Sequence, residues 1–500
     1  MGVIIMENSQ TNYNVLMIML DELSVDAVGA YGNDYIKTPN LDRLAEEGVL
    51  FENSLCVTPY CSPTRASILT GQWPHTHGVI VNTNFKEGLQ GDEIITDEIL
   101  YRNGYKVEHF GKWHAGDKKF FNCYSDSKYR KEILSNYNKP DNIELSESKE
   151  DEVYLNRRSQ YGIYMKKWNY EAFKEASEKF DSQQHLMLIG KDAEPPEYND
   201  WFYLADKTRE WLKENKNNKF MLTYSASPPH APWIAPDPYY SMYDPEEVPL
   251  SPSFFEETHP YMESMPYKRG QIMGEKGMRE LIRCYYAQVT MMDEAIGKIL
   301  KTLDDLELTE NTMVVFVSDH GDLHGAHGCL GKVISGFYDE LVKVPMMIRL
   351  PDEITAGQKV KKHTESVDIG PTILDYLNYE IPDTMQGESL KSVIEGKTQD
   401  KVKYGFCEHP GGRMIRGREY KYSFYFNNDS FREELFNIKE DPYELNDLIE
   451  NEKYQRINSN LKSKLERHLE KTEDMSLEKL VESGGPVGNI NKDLDKPHHD

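Results

Sequence analysis

The sequence predicts an α/β protein: a large, mostly parallel central sheet flanked by helices, with a smaller antiparallel sheet plus a helix at the C-terminal end. Three observations predict it. Short apolar runs of strand length end abruptly in acids at Asp21 and Asp319. Helical stretches lie between those runs, which favours parallel strands joined by crossovers. After about residue 396 the texture changes to short aromatic runs punctuated by turn residues.

The elements follow in order. Val15-Leu-Met-Ile-Met-Leu20 is continuously apolar and closes on Asp21-Glu22, the pattern of a strand buried on both faces. Thr38-Pro-Asn-Leu-Asp-Arg-Leu-Ala-Glu-Glu-Gly48 reads as the helix after it, with Pro39 in the first turn, Leu41 and Leu44 on one face and Gly48 as the stop. Phe220 to Ser225 and Met313 to Val317 repeat the strand pattern, and Ser318-Asp-His-Gly-Asp322 follows the second at once. Between these strands, Tyr285 to Leu303 has helical spacing, with Ala287, Met291, Ala295 and Ile299 four apart. In such a sheet the reactive groups gather at the carboxyl ends of strands, where Asp21 and Asp319 fall.

Residues 120–200 are rich in Lys, Glu, Tyr and Asn with weak periodicity, and predict an insertion near the pocket. Tyr420 to Phe426, the turn Asn427-Asn428-Asp429 and a charged helix from Asn451 to about Glu473 predict the C-terminal sheet and its helix. The expected division is a catalytic α/β domain over 1–395, a smaller α+β subdomain over 396–483 and a disordered tail over 484–500.

Composition narrows the function. Five hundred residues exclude a hormone, a lone binding module or a disulfide miniprotein. The formal charge of -26, with no concentrated basic run, argues against nucleic acid and anionic membrane as partners. The first residues lack a basic leader, and Val15 to Leu20 is six residues where a membrane span needs about twenty, so a cytoplasmic protein is expected. Cys56, Cys61, Cys123, Cys284, Cys329 and Cys407 show no paired metal spacing, and most are expected to be inert.

The segment Cys61-Ser62-Pro63-Thr64-Arg65-Ala66-Ser67-Ile68-Leu69-Thr70-Gly71 carries the most specific signal. As a plain thiol, Cys61 would need a field that lowers its pKa, which Arg65 and a helix N-terminus could supply. The segment also matches C-x-P-x-R followed by T-G. Asp21-Glu22, Gly111-Lys-Trp-His114, Pro229-His230, Ser318-Asp-His-Gly321, Gly331-Lys332, Tyr338-Asp-Glu340, Glu434-Leu-Phe-Asn-Ile438 and Asp441-Pro-Tyr-Glu444 then occur in a matching order. Together these blocks resemble the formylglycine-dependent (type I) sulfatases of the alkaline phosphatase superfamily over roughly 13–115 and 200–450.

The resemblance implies an alkaline phosphatase-like fold and a sulfuric ester hydrolase. It also implies that a maturation enzyme oxidises Cys61 to formylglycine, whose hydrate attacks sulfur. Arg65 would steady the hydrate, Lys112 and Lys332 would contact sulfate, His114 would take the proton that collapses the sulfated intermediate, and His230 with Lys332 would protonate the departing oxygen. Asp21, Glu22, Asp319, His320 and residue 61 would hold one divalent ion. Hard oxygen donors favour Ca2+ first, with Mn2+ or Mg2+ as alternatives. Glu22 departs by one methylene from the family's usual Asp-Asp or Asp-Gln pair, which sets its direct ligation apart from the others.

The expected substrate is a small sulfate ester or sulfamate, such as a sulfated sugar or glycosaminoglycan fragment, met by a small positive well in a negative surface. Oligomeric state stays open. Two other functions compete: a phosphonate or phosphate mono- or diester hydrolase on the same scaffold, and a noncatalytic sulfated-glycan binder with Cys61 unconverted. Simpler roles compete residue by residue. Cys61 could be a core thiol, and Asp21-Glu22 a helix cap or turn. Asp319-His320 could be a solvated strand end, Lys112 and His114 an edge pair, His230 a packed loop histidine, and Lys332 a surface lysine. His75 and His77 read as structural, and His324 and His327 as either site-lining or loop packing.

Overall fold

The computed structural model describes residues 13–82, 88–91, 93–116, 152–155, 163–166, 188–192, 195–255, 269–332, 336–351, 355–397, 404–427 and 430–482. Most of 120–200, the tail over 484–500 and Cys123 lie outside the described residues.

The apolar run at Val15 forms the middle of the sheet. Strand β1 (Asn14–Asp21) is buried along its whole length. With it run β2 (Val49–Phe51), β3 (Lys106–Gly111), β4 (Phe220–Pro229), β5 (Thr312–Ser318), β6 (Met346–Arg349) and β7 (Gln358–Val360), in the spatial order β7-β2-β6-β5-β1-β4-β3. β1 is parallel to both neighbours, β5 and β4, and β3 is parallel to β4. β6 runs against β5 and β2, so the sheet is mostly parallel with one reversed strand. Four residues between Pro345 and Leu350 carry no periodic sign of that reversal.

Alternation along β1 builds two cores. Leu16, Ile18 and Leu20 pack with Leu41 and Leu44 of helix α1 (Pro39–Glu47), and with apolar faces of two later helices, Asp200–Asn215 and Arg269–Asp305. Val15, Met17 and Met19 face the other way, against Ile68 of helix α2 (Cys61–Thr70) and Ile369, Ile373 and Leu374 of helix Ile369–Tyr376. Helices on both faces explain why β1 shows no polar alternation. We label the remaining helices α3 (Asp200–Asn215), α4 (Arg269–Asp305), α5 (Ile369–Tyr376) and α6 (Gln455–Lys471). α4 starts well before Tyr285, where the spacing alone predicts it. Buried Met278, Leu281 and Ile282 extend its stripe, while Gly274 (φ 64°) breaks the helical geometry near its start.

The C-terminal residues form an antiparallel meander of β8 (Gly405–His409), β9 (Gly412–Arg416), β10 (Lys421–Asn427) and β11 (Ser430–Phe436). Leu461, Leu465 and Leu469 of α6 cover Ile415, Tyr422 and Phe424 on it. This unit is tied to the turn after α2. His75 Nδ1 lies 2.7 Å from Glu408 Oε2, and Arg413 Nε donates to Asp474 Oδ2 at 2.6 Å. Within 120–200, Glu152–Leu155, Ile163–Lys166 and Ile189–Asp192 form a small sheet whose last strand pairs with Trp233–Ala235, just beyond His230. No helix among the described residues is long and apolar enough to cross a membrane.

Candidate active site

The site forms where β1, β5, β4 and β3 end. The pairing of β1 with β4 shifts register between Leu20 and Asp21, a bulge at the point where Asp21 must turn toward its neighbours. Asp21 and Asp319 are fully buried, and the Asp319 N–H donates to the Leu20 carbonyl at 3.1 Å, locking the two strand ends together. Gly321 lets the chain leave β5 close against the backbone at Glu340: a Cβ there would sit 1.9 Å from the Glu340 carbonyl oxygen. Gly111 (φ 108°) does the same at the end of β3, where a Cβ would fall 1.8 Å from the Ser225 carbonyl oxygen. That close approach sets up Lys112, whose N–H donates to Ser225 at 2.9 Å.

Cys61 is the first residue of α2 and is buried. Its Sγ, standing where one hydroxyl of a hydrated formylglycine would stand, meets Lys332 Nζ at 2.9 Å, His320 Nε2 at 3.2 Å and Asp21 Oδ1 at 3.5 Å. Burial opposes ionisation of this thiol, yet Lys112, Lys332, His320 and a hydrogen bond from His114 hold its pKa well below the ordinary value. The lysines therefore supply the field that the sequence reading sought in Arg65. At Cys284 and Cys407 burial outweighs the nearby Arg283 and Lys421, and these thiols are pushed up instead.

Arg65 is the brace of the site. Its Nε donates to Asp319 Oδ2 at 2.8 Å, and its Nη1 to the Lys112 carbonyl at 2.9 Å and to Ser225 Oγ at 2.8 Å. Lys112 Nζ pairs with Asp21 Oδ2, and Lys332 Nζ with Glu22 Oε1 at 2.7 Å. His230 Nε2 is 3.5 Å from the same Glu22 oxygen, while its Nδ1 faces the Ala231 carbonyl at 2.7 Å. Burial pulls the His230 pKa down but Glu22 outweighs it, so the imidazole is raised toward its acid form. His114 is lowered by burial and by Lys112, which favours its neutral, basic form.

One potential donor set stands apart. Asp21, Cys61, Asp319 and His320 each offer a ligand atom within 4.8 Å of the others, all buried. Burial and the adjacent Asp21 push the Asp319 carboxyl up despite Arg65, and Asp319 and Cys61 raise His320 to about 10 against its burial. Two carboxylates that crowd each other and draw a proton onto an imidazole are a donor set short of positive charge, so the residues fit a divalent cation. The His320 Nδ1 contact with the Gly321 carbonyl at 2.8 Å leaves Nε2 facing inward. Glu22 falls in a different group, with Asp21 and His230.

The structure thus brings Asp21, Glu22, Cys61, Arg65, Lys112, His114, His230, Asp319, His320 and Lys332 into one site. Three further residues support the site without a functional signal that singles them out in the sequence. Asn82 reaches Cys61 Sγ at 3.9 Å and accepts the Ser62 N–H at 3.1 Å; Ser225 receives Arg65; and Asp322 is pushed up to about 7 by burial and by the neighbouring Glu22. Asn82 has no sequence signal, whereas Asp322 lies inside the quoted Ser318-to-Asp322 block. His324 and His327 pack in the loop: the first stacks on Tyr285 with centroids 4.9 Å apart, the second on Tyr338 at 3.7 Å. His77 contacts Ser67 of α2 at 2.9 Å, and with His75 it has a structural place.

A buried cysteine and metal-type ligands at the carboxyl end of a helix-flanked, mostly parallel sheet define an alkaline phosphatase-like fold. The phosphonate monoester hydrolase of Agrobacterium radiobacter shares that fold with a TM-score of 0.73 at 22% identity, over 95% of this chain and 99% of that one. The chain belongs to the sulfatase family, whose model matches residues 13–379. The model for the C-terminal part of N-sulphoglucosamine sulphohydrolase matches residues 325–471. The chain is 28% identical to an ulvan-active sulfatase of Formosa agariphila, covering 93% of this chain and 82% of that protein. It is 27% identical to an N-acetylglucosamine-6-O-sulfatase of Bacteroides thetaiotaomicron, covering 91% and 85%.

Proposed function

We propose that this sulfatase releases sulfate from a small sulfated sugar, using formylglycine made from Cys61 by a maturation enzyme. The observation that carries the reading is the convergence of Lys112, Lys332, His114, His230 and the Asp21-Asp319-His320 set on one buried atom, the Cys61 sulfur. The sugar assignment is supported by a relative named as an N-acetylglucosamine-6-O-sulfatase and by the match to the C-terminal model of N-sulphoglucosamine sulphohydrolase.

In the hydrated form one hydroxyl of residue 61 gives up its proton toward Asp21 Oδ1, 3.5 Å from the Cys61 sulfur, and forms the bond to sulfur as the bond from sulfur to the sugar oxygen breaks. His230, raised toward its acid form, and Lys332 are placed to protonate that oxygen. His114 then takes the proton from the second hydroxyl, the carbon–oxygen bond to sulfate breaks, and the aldehyde returns to be rehydrated by water. Lys112 and Lys332 stabilise charge on the nonbridging oxygens. Arg65 holds Asp319 and the Lys112 carbonyl, so its part is to keep the cradle in register. A divalent ion held by Asp21, Asp319, His320 and residue 61 would supply Lewis-acid polarisation; hard donors favour Ca2+, with Mn2+ or Mg2+ next.

The test is a substrate panel on protein coexpressed with a maturation enzyme. Sulfate release from sulfated mono- and disaccharides, faster than phosphate release from the corresponding phosphates and phosphonates, supports the reading. A preference for phosphonate or phosphodiester overturns it.

A further inference from the structure

We propose that Glu22 determines the charge of the ester this site accepts, selecting singly charged sulfates over doubly charged phosphate monoesters, and that it does so without ligating the metal. The inference rests on the sulfatase reading and adds a role for one residue to it.

Three observations converge on this side chain. First, Glu22 is held in a left-handed conformation (φ 64°). Such a conformation is costly for a residue with a Cβ, and here both peptide groups are fixed: its N–H donates to Asp319 Oδ1 at 3.2 Å, and its carbonyl accepts from Tyr285 Oη at 2.6 Å. Second, the carboxylate that this backbone aims is 2% exposed and turns toward Lys332 at 2.7 Å and His230 at 3.5 Å, the two groups on the leaving-oxygen side. Third, its ligand atom clusters with those of Asp21 and His230 rather than with the four-residue group of Asp21, Cys61, Asp319 and His320.

The charge count follows from the pairs. Arg65 is matched by Asp319, Lys112 by Asp21 and Lys332 by Glu22. With His230 in its acid form the protein groups come within one positive charge of balance, and Glu22 is the carboxylate that offsets the two cations on the leaving-oxygen side, Lys332 and His230. A sulfate monoester brings one negative charge. A phosphate monoester brings a second, which would lie beside a fixed, buried carboxylate where charges are poorly screened. Removing the Glu22 charge frees Lys332 to meet that second charge.

The experiment compares aryl sulfate with aryl phosphate, as the ratio of kcat/KM values, in matured wild-type protein, Glu22→Gln and Glu22→Asp, with bound metal measured by plasma mass spectrometry. The ratio cancels any loss common to both substrates. The inference expects Glu22→Gln to keep its metal and to lower the sulfate-to-phosphate ratio by about tenfold or more, with Glu22→Asp close to wild type. An unchanged ratio in Glu22→Gln, or loss of metal from it, overturns the inference while leaving the sulfatase reading intact. Wild-type protein that releases no sulfate overturns both.

Discussion

His230 is raised by Glu22 and sits with Lys332 on one side of the Cys61 sulfur. A general acid matters most when the leaving oxygen is a poor one, so His230→Ala should cut sulfate release from an alkyl sugar sulfate by about a hundredfold or more and from an activated aryl sulfate by much less. Steady-state kinetics with the two substrates checks this; equal losses would remove His230 from the acid role. The candidate site residues were legible because each sits in a short block with its own chemistry: a cysteine four residues before Arg65, acids at strand ends, lysine and histidine two apart in Lys112-Trp-His114. Asn82 was not, since it reaches Cys61 across 21 residues of chain and carries no pattern of its own. The Glu22 side chain was legible as an acid but not as a partner of Lys332, 310 residues away.

At the scale of elements, the glycine after Asp319-His320 decides whether the strand end can pass the Glu340 carbonyl. Gly321→Ala places a Cβ 1.9 Å from that backbone oxygen, so the variant should lose about 3 kcal/mol or more, read as a lowered denaturation midpoint; a wild-type midpoint would contradict the close approach. The helix Thr96–Arg102 carries a different strain. Asp97 is 1% exposed and burial pushes its carboxyl from 3.8 to about 6. Between those values the folded chain holds a proton that the unfolded chain has released, so stability falls as pH rises through pH 4 to 6, by about 3 kcal/mol at most. Asp97→Asn should therefore raise the melting temperature at pH 8 and change it little at pH 4, and calorimetry at the two pH values tests the sign. Elements with long apolar or amphipathic runs, β1, β5 and α1, were readable from sequence. β6 and the early turns of α4 were not, because four residues have no period and three glycines, Gly270, Gly274 and Gly277, mask the stripe that burial reveals.

Across the whole molecule, the C-terminal meander is anchored to the segment that follows the nucleophile helix. Arg413, 6% exposed at its side chain, sits between Glu408 and Asp474 while His75 bridges to Glu408. Arg413→Ala leaves Glu408 and Asp474 with His75 as their remaining cationic partner and should cost about 3 kcal/mol, measured by chemical denaturation; an unchanged midpoint would show that the cluster does not stabilise the unit. The net charge of -26 now has a local counterpart. Arg65, Lys112 and Lys332 are each drawn inward by a carboxylate, so these cations form one small buried cluster in a strongly negative chain. The account turns on the chemical state of one residue in this cradle. Preparations with graded coexpression of a maturation enzyme can be assayed for sulfate release while mass spectrometry of the peptide containing residue 61 gives the fraction converted to aldehyde. Activity should rise in proportion to that fraction and vanish in Cys61→Ala; full sulfate release from protein whose Cys61 remains a thiol would contradict it.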